Sequence, residues 1–194
     1  MRNKVLAAAG IVVVIAMGTY MLAGTNDSKE TGKSDTASVE TDAQSIKMDT
    51  QGLKQMVQSY SMRTAKAESA SISSTQLIVK ESDGKSAAYA LPADEFFVSI
   101  APYVDQTHPC ATHSLTGCQG ELTEEEFNIS VTDSDGKVIM DNETVKSQPN
   151  GFIDLWLPRD QTYQVTIEHD GKKAESEIST FEKDDTCVTT MQLG

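Results

Sequence analysis

The segment Thr107 to Leu122, THPCATHSLTGCQGEL, carries Cys110, Cys118, His108 and His113, two of the chain's three cysteines and two of its three histidines. Thiolates and imidazoles are soft ligands, and donor atoms about 2.0 to 2.3 Å from one ion force their chains to converge. A Cys-x-x-His start, with a second cysteine in the same turn-rich loop, can wrap one small ion, and Cys187, carried on a distant strand, can close the site. Thiolate with imidazole suits Cu(I) and Zn(II), whereas Mg or Ca would need an oxygen-rich site. A structural zinc usually takes four ligands in paired spacings that this chain lacks, while Cu(I) accepts two or three soft ligands. A disulfide loop is the competing reading, with Cys110 joined to Cys118 and Cys187 left over, as thiols in an oxidising compartment commonly pair. The two readings meet in redox chemistry, because two thiolates that form a disulfide release two electrons, enough to convert two Cu(II) to Cu(I). Hydrolysis fits poorly: a loop histidine three residues from a thiol rarely serves as its base, and no third orienting group is evident.

Other residues of these types carry less. His108 and His113 each have an ordinary alternative as hydrogen-bonded loop histidines, and His169, before Asp170-Gly171, reads as a turn residue. Met191 lies about 13 Å along an extended strand from Cys187, too far to share one ion, and reads as core. Trp156 alternates out of phase with Ile153, Leu155 and Leu157, so it packs or lines a site on the opposite face. Glu124 to Glu126 is a solvated acidic run.

The elements that must position the donors follow from periodicity. Leu53, Met56, Val57 and Tyr60 mark one face of a helix that Asp49 or Thr50 can cap. From Ser71 the period changes to two. QLIVK and SAAYAL flank the turn Ser82-Asp83-Gly84, Phe127, Ile129 and Val131 lead through Ser134-Asp135-Gly136 into a hairpin, and three further alternating runs follow. Thr186 to Leu193 reads as a last strand, with Cys187, Thr189, Met191 and Leu193 on one face. The pattern predicts an α+β, mainly β fold, an N-terminal helix plus hairpin packed on a C-terminal immunoglobulin-like, Greek-key β-sandwich. Residues 49–122 would form the helix, hairpin and metal-loop region, and 123–194 the sandwich that contributes Cys187.

Residues 1–24 open with the basic MRNK and continue through an uncharged apolar run, which reads as a signal peptide or an N-terminal membrane anchor and places the chain outside the cytoplasm. Thr25 stands where a lipoprotein would need its lipid-bearing cysteine. Residues 25–48 are too polar to offset the entropy of ordering and read as a flexible linker. The 16 Lys and Arg against 29 Asp and Glu give a formal net charge of -13, which argues against nucleic-acid binding.

Phe97 to Val104 running into Thr107-His108-Pro109-Cys110, then His113 to Leu122, together with Asn150-Gly151-Phe152, Leu155 to Asp160 and Thr186 to Leu193, resemble the CueP family of copper-resistance proteins. The resemblance implies an extracytoplasmic copper-binding protein that holds Cu(I). It also implies reduction of Cu(II), delivery of copper to exported copper/zinc superoxide dismutase, and a homodimer. It maps Cys110, Cys118 and Cys187 onto copper ligands, and His113 and His108 onto the motif histidines beside them. The alternative is an exported β-sandwich interaction module with a structural Cys110 to Cys118 disulfide and no metal role.

Overall fold

The computed structural model describes residues 46–194; the expected export segment and all but the last three residues of the expected linker lie outside them. Among the described residues no helix is long and apolar enough to cross a membrane. The structure is mostly β-strand with one N-terminal helix. The helix α1 runs Thr50–Ser61, and the Asp49 carboxylate caps it by accepting the Gly52 N–H at 2.8 Å. Leu53, Val57 and Tyr60 bury one face of it, as their spacing predicts.

Three sheets follow. The first is antiparallel throughout, built from β1 (Ser69–Ile72), β2 (Gln76–Lys80), β3 (Ser86–Ala90) and the short β5 (His113–Ser114), in the order β3-β2-β1-β5. The predicted QLIVK hairpin is the β2–β3 pair, and Ile46 adds a parallel bridge to Tyr89 at its edge. The second sheet orders β10 (Lys172–Ser179), β9 (Thr162–His169), β6 (Glu126–Asp133) and β7 (Val138–Lys146). Its β6–β7 turn closes where the Asp133 carboxylate accepts the Asp135 and Lys137 amides, with Gly136 at φ +81°. The third sheet is β11 (Cys187–Val188), β4 (Glu95–Ile100) and β8 (Ile153–Pro158), with β4 in the middle.

The second and third sheets form a β-sandwich. Phe96, Val98 and Ile100 of β4 and Ile153, Leu155 and Leu157 of β8 pack on Phe127, Ile129, Val131, Tyr163, Val165 and Ile167. The opposite face of β4 is also covered: Phe97 joins Leu53, Val57, Ile72, Leu77 and Leu115 in a second core, beneath the helix. Trp156 sits at the margin of that core, edge-on to Phe97 at 5.1 Å, so its role is packing. The β4–β8 ladder crosses the expected division at residue 122, and the two expected regions share a sheet.

One expectation is corrected. Thr186 to Leu193 does not run as one strand with a single face. Ala101 N–H donates to the Val188 carbonyl, but Tyr103 N–H donates to Met191 rather than Thr190, so the terminal segment holds one extra residue there. Such a bulge reverses which face the following side chains take. Cys187, paired with Ser99, faces away from the sandwich core, while Met191 and Leu193 are buried in it.

Near the end of the loop that precedes β6, Gly120 touches the Asn150-Gly151 turn before β8. Gly120 N–H donates to Asn150 O at 2.7 Å, and a Cβ on Gly151 would lie 2.7 Å from Gly120 backbone atoms. Gly151 also sits at φ +78°. Gly151→Ala therefore combines strain with a backbone clash and should destabilise by more than about 2 kcal/mol, read as a lowered urea midpoint at constant slope. Gly84→Ala, at φ +85° in open space, should cost about 1 kcal/mol.

Candidate metal centre

The loop between β4 and β6 is irregular, yet it is fastened at several points. The two residues of β5 pair with β1, Ile72 opposite His113, and Leu115 N–H donates to Ala70 O at 2.8 Å. Leu115 is fully buried in the second core and anchors the stretch between Cys110 and Cys118. The Arg63 guanidinium, at the end of the helix, donates to the carbonyls of Thr116 at 2.6 Å and Cys118 at 3.1 Å. At the base of the loop, the Glu121 carboxylate accepts the amides of Val104, Asp105 and Gln106 at 2.9 to 3.0 Å. Three converging amides are an anion cradle, and they hold the Glu121 carboxyl below the usual carboxylate range, the Gln106 bond first.

Cys187 arrives from β11, whose parallel ladder with β4 sets its register. Its neighbour Thr186, almost fully buried, ties three elements together. Its hydroxyl donates to Ile72 O at 2.6 Å and accepts His113 N–H at 3.1 Å. The amides of Thr186 and Cys187 both donate to Ala111 O, at 3.0 and 3.1 Å. The loop and the terminal strand are thus joined by backbone bonds at Ala111, between Cys110 and His113.

The donors converge. Cys110, Cys118 and Cys187 are free thiols, and the sulfurs of Cys110 and Cys118 are 3.5 Å apart. Cys187 Sγ lies 3.5 Å from His113 Nδ1. Two groups of three donors have ligand atoms within 4.8 Å of one another: His108, Cys110 and Cys118, and His113, Cys118 and Cys187. His113 is fully buried, its ring 4.5 Å from that of Phe152 and 6.2 Å from that of Phe97, and its Nε2 has no hydrogen-bond partner. Among the described residues His169 belongs to neither group; it is the last residue of β9, just before the turn, and its Nδ1 meets Glu126 O at 2.8 Å beside Phe127. Met191 is core.

The three thiols do not titrate alike. Cys118 is held well below its ordinary value, first by the hydrogen bond from Cys187, then by His113, the Ser114 amide and His108, against the opposing effect of burial. Cys110 is pushed up to about 11, chiefly by burial, and Cys187 is raised by its bond to Cys118 and by burial. Cys118 is therefore the sulfur that carries negative charge first, with the other thiols turned towards it. Two clefts reach the group. One, of about 310 Å³, is lined by His108, Ser114, Gly117, Cys118 and Gln119; the other, of about 290 Å³, has Cys110 and Cys187 beside Glu177, Asp184 and Asp185. Three sulfurs and two imidazoles, with no carboxylate in either group, suit a soft cation such as Cu(I) better than a hard one.

Reasoning from spacing missed the fasteners. Leu115, the one large apolar side chain between Cys110 and Cys118, was the available signal for a buried anchor. Thr186, Glu121 and Arg63 act through partners distant in sequence and left no local trace.

A family model described as periplasmic copper-binding protein CueP matches residues 51–192. The crystal structure of S.CueP is similar to this chain at 37% sequence identity and a TM-score of 0.68, covering 73% of this chain and 88% of that one. No curated protein matches.

The Glu121 cradle sets a pH dependence. Its folded pKa is depressed, so its stabilisation is fully present above the unfolded value of about 4.3 and is lost as pH falls through the folded value. The stability of the parent over Glu121→Gln, measured by urea unfolding, should be constant from neutral pH down to about pH 5 and shrink below it. A difference independent of pH would show that the carboxylate charge plays no part.

Proposed function

The chain belongs to the CueP family of periplasmic copper-binding proteins, and from that premise we propose that it holds Cu(I) outside the cytoplasm through Cys110, Cys118 and Cys187, with His113 and His108 as nitrogen donors. Family membership and the two Cys/His groups support copper binding as such. The observation that carries the finer reading is convergence: Cys187 shares a donor group with Cys118, which shares another with Cys110, although strands β6 to β10 separate Cys118 from Cys187 in the chain. A fold that needed only a loop disulfide would have no use for the third thiol there.

Reduction of Cu(II) is the second step we propose. The sulfurs of Cys110 and Cys118 are in contact at 3.5 Å, so each can give one electron to a Cu(II) ion. An S–S bond forms, any remaining thiol proton passes to solvent, and two Cu(II) become two Cu(I). The acceptor we propose, on the family resemblance, is exported copper/zinc superoxide dismutase, with the homodimer as the assembly that delivers to it.

Titrating reduced protein against a competing Cu(I) chelator should show about one tight equivalent per chain, and Cys187→Ser should weaken it by about 100-fold or more, beyond what indirect effects on a metal site usually cost. Affinity unchanged by that substitution sinks the reading. Adding Cu(II) to reduced protein should consume about two thiols for every two Cu(I) formed. A permanent Cys110–Cys118 disulfide in protein prepared without copper would instead favour an interaction module.

A further inference from the structure

We propose that the centre takes one Cu(I) at two overlapping stations that share Cys118: an outer one of His108, Cys110 and Cys118, and an inner one of His113, Cys118 and Cys187. This rests on the copper reading and adds an order to it. The ion is met at the outer station and kept at the inner one.

Donor number is the first ground. Five soft donors surround the site, more than one Cu(I) takes, and they divide into two groups of three whose atoms lie within 4.8 Å of one another. Ligands about 2.0 to 2.3 Å from a common ion meet that spacing. Only Cys118 belongs to both groups.

Burial and scaffolding separate the groups. His108 and Cys110 are half-buried and stand on irregular chain, where His108 lines the larger cleft. His113 and Cys187 are buried, 0% and 3% exposed, and stand on β5 and β11, each paired to a neighbouring strand. The outer group can adjust to an arriving ion, whereas the inner group is held in place.

The inner group is also pre-assembled: Cys187 Sγ and His113 Nδ1 already face each other at 3.5 Å, and the His113 ring is packed against Phe152. An ion that moves inward exchanges Cys110 for Cys187 and His108 for His113 while Cys118 keeps hold, so it is never released between stations. No bond to sulfur is oxidised and no electron moves.

The test uses the full reduced chain with Cu(I) supplied as its acetonitrile complex. X-ray absorption of the loaded protein should find two sulfurs and one nitrogen on the metal. In stopped-flow uptake, His108→Ala and Cys110→Ser should each slow capture about tenfold or more, yet cost much less equilibrium affinity than Cys187→Ser. Cys187→Ser and His113→Phe should capture as fast as the parent but lose affinity by about 100-fold and yield the ion at once to a chelator. Circular dichroism checks that each variant folds, and the two inner variants guard against one failing.

Three sulfurs on the metal, with equal affinity losses in Cys110→Ser and Cys187→Ser, would overturn the proposal in favour of one trigonal centre. Capture unaffected by both outer variants would overturn it by showing direct entry through the acidic cleft beside Cys187. Two tight ions with a copper–copper vector would replace it with a dinuclear centre. Absence of copper binding in every protein would overturn the underlying copper reading instead.

Discussion

Everything in this molecule leans on β4, which is buried on both faces and hydrogen-bonded along both edges. Phe96, Val98 and Ile100 supply one core, and Phe97 supplies another. Such a strand cannot slip by one residue without sending each apolar side chain to the wrong core. Its two partners inherit that register: β8 brings Asp154 and Trp156 to the helix side, and β11 brings Cys187 opposite Ser99. Asp154 then accepts hydroxyl bonds from Ser99 and Ser61 at 2.6 Å, fixing the end of the helix to the same strand. A thiol placed by such a ladder is placed to within the tolerance of a metal ligand.

The loop that carries the other donors achieves its order differently. It has almost no regular structure, and its backbone groups are satisfied piecemeal by Thr186, Arg63, Glu121 and two strand residues. Each fastener joins segments far apart in sequence. The result is a graded scaffold, in which His113 and Cys187 stand on paired strands and His108 and Cys110 on irregular chain. The asymmetry between thiols has the same origin, because the bonds that converge on Cys118 come from both sides of the seam.

Most of the architecture was legible from periodicity alone. The helix face of Leu53, Val57 and Tyr60 and the alternating runs of β6, β8 and β9 each bury in one direction, so sequence pattern and burial agree. Two features were not legible. β1 and β5 are four and two residues long, too short for alternation to register; β1 is held by its ladder with β2, and β5 exists only on the edge that β1 offers it. The bulge after Val188 has no glycine to announce it, and it follows from the demand that both Cys187 and Met191 be buried in different cores. Of the candidate site, donor types and their concentration in one loop were readable. Their division into two groups was not, since it depends on side-chain depth, which no spacing encodes.

The seam between the loop and β11 has a consequence for how the chain becomes a binder at all. In an unfolded chain Cys110 and Cys118 remain neighbours, but Cys187 meets them only after β11 has paired with β4 across the intervening strands, which makes the full donor set a long-range contact with a large loop-closure cost. An ion that favours the assembled set over the local pair therefore draws the population towards the native state by mass action, and less so as free metal falls. Metal binding and folding are linked in one equilibrium: a bound ion hardens the protein against unfolding and proteolysis, and the metal-free molecule is the softer target.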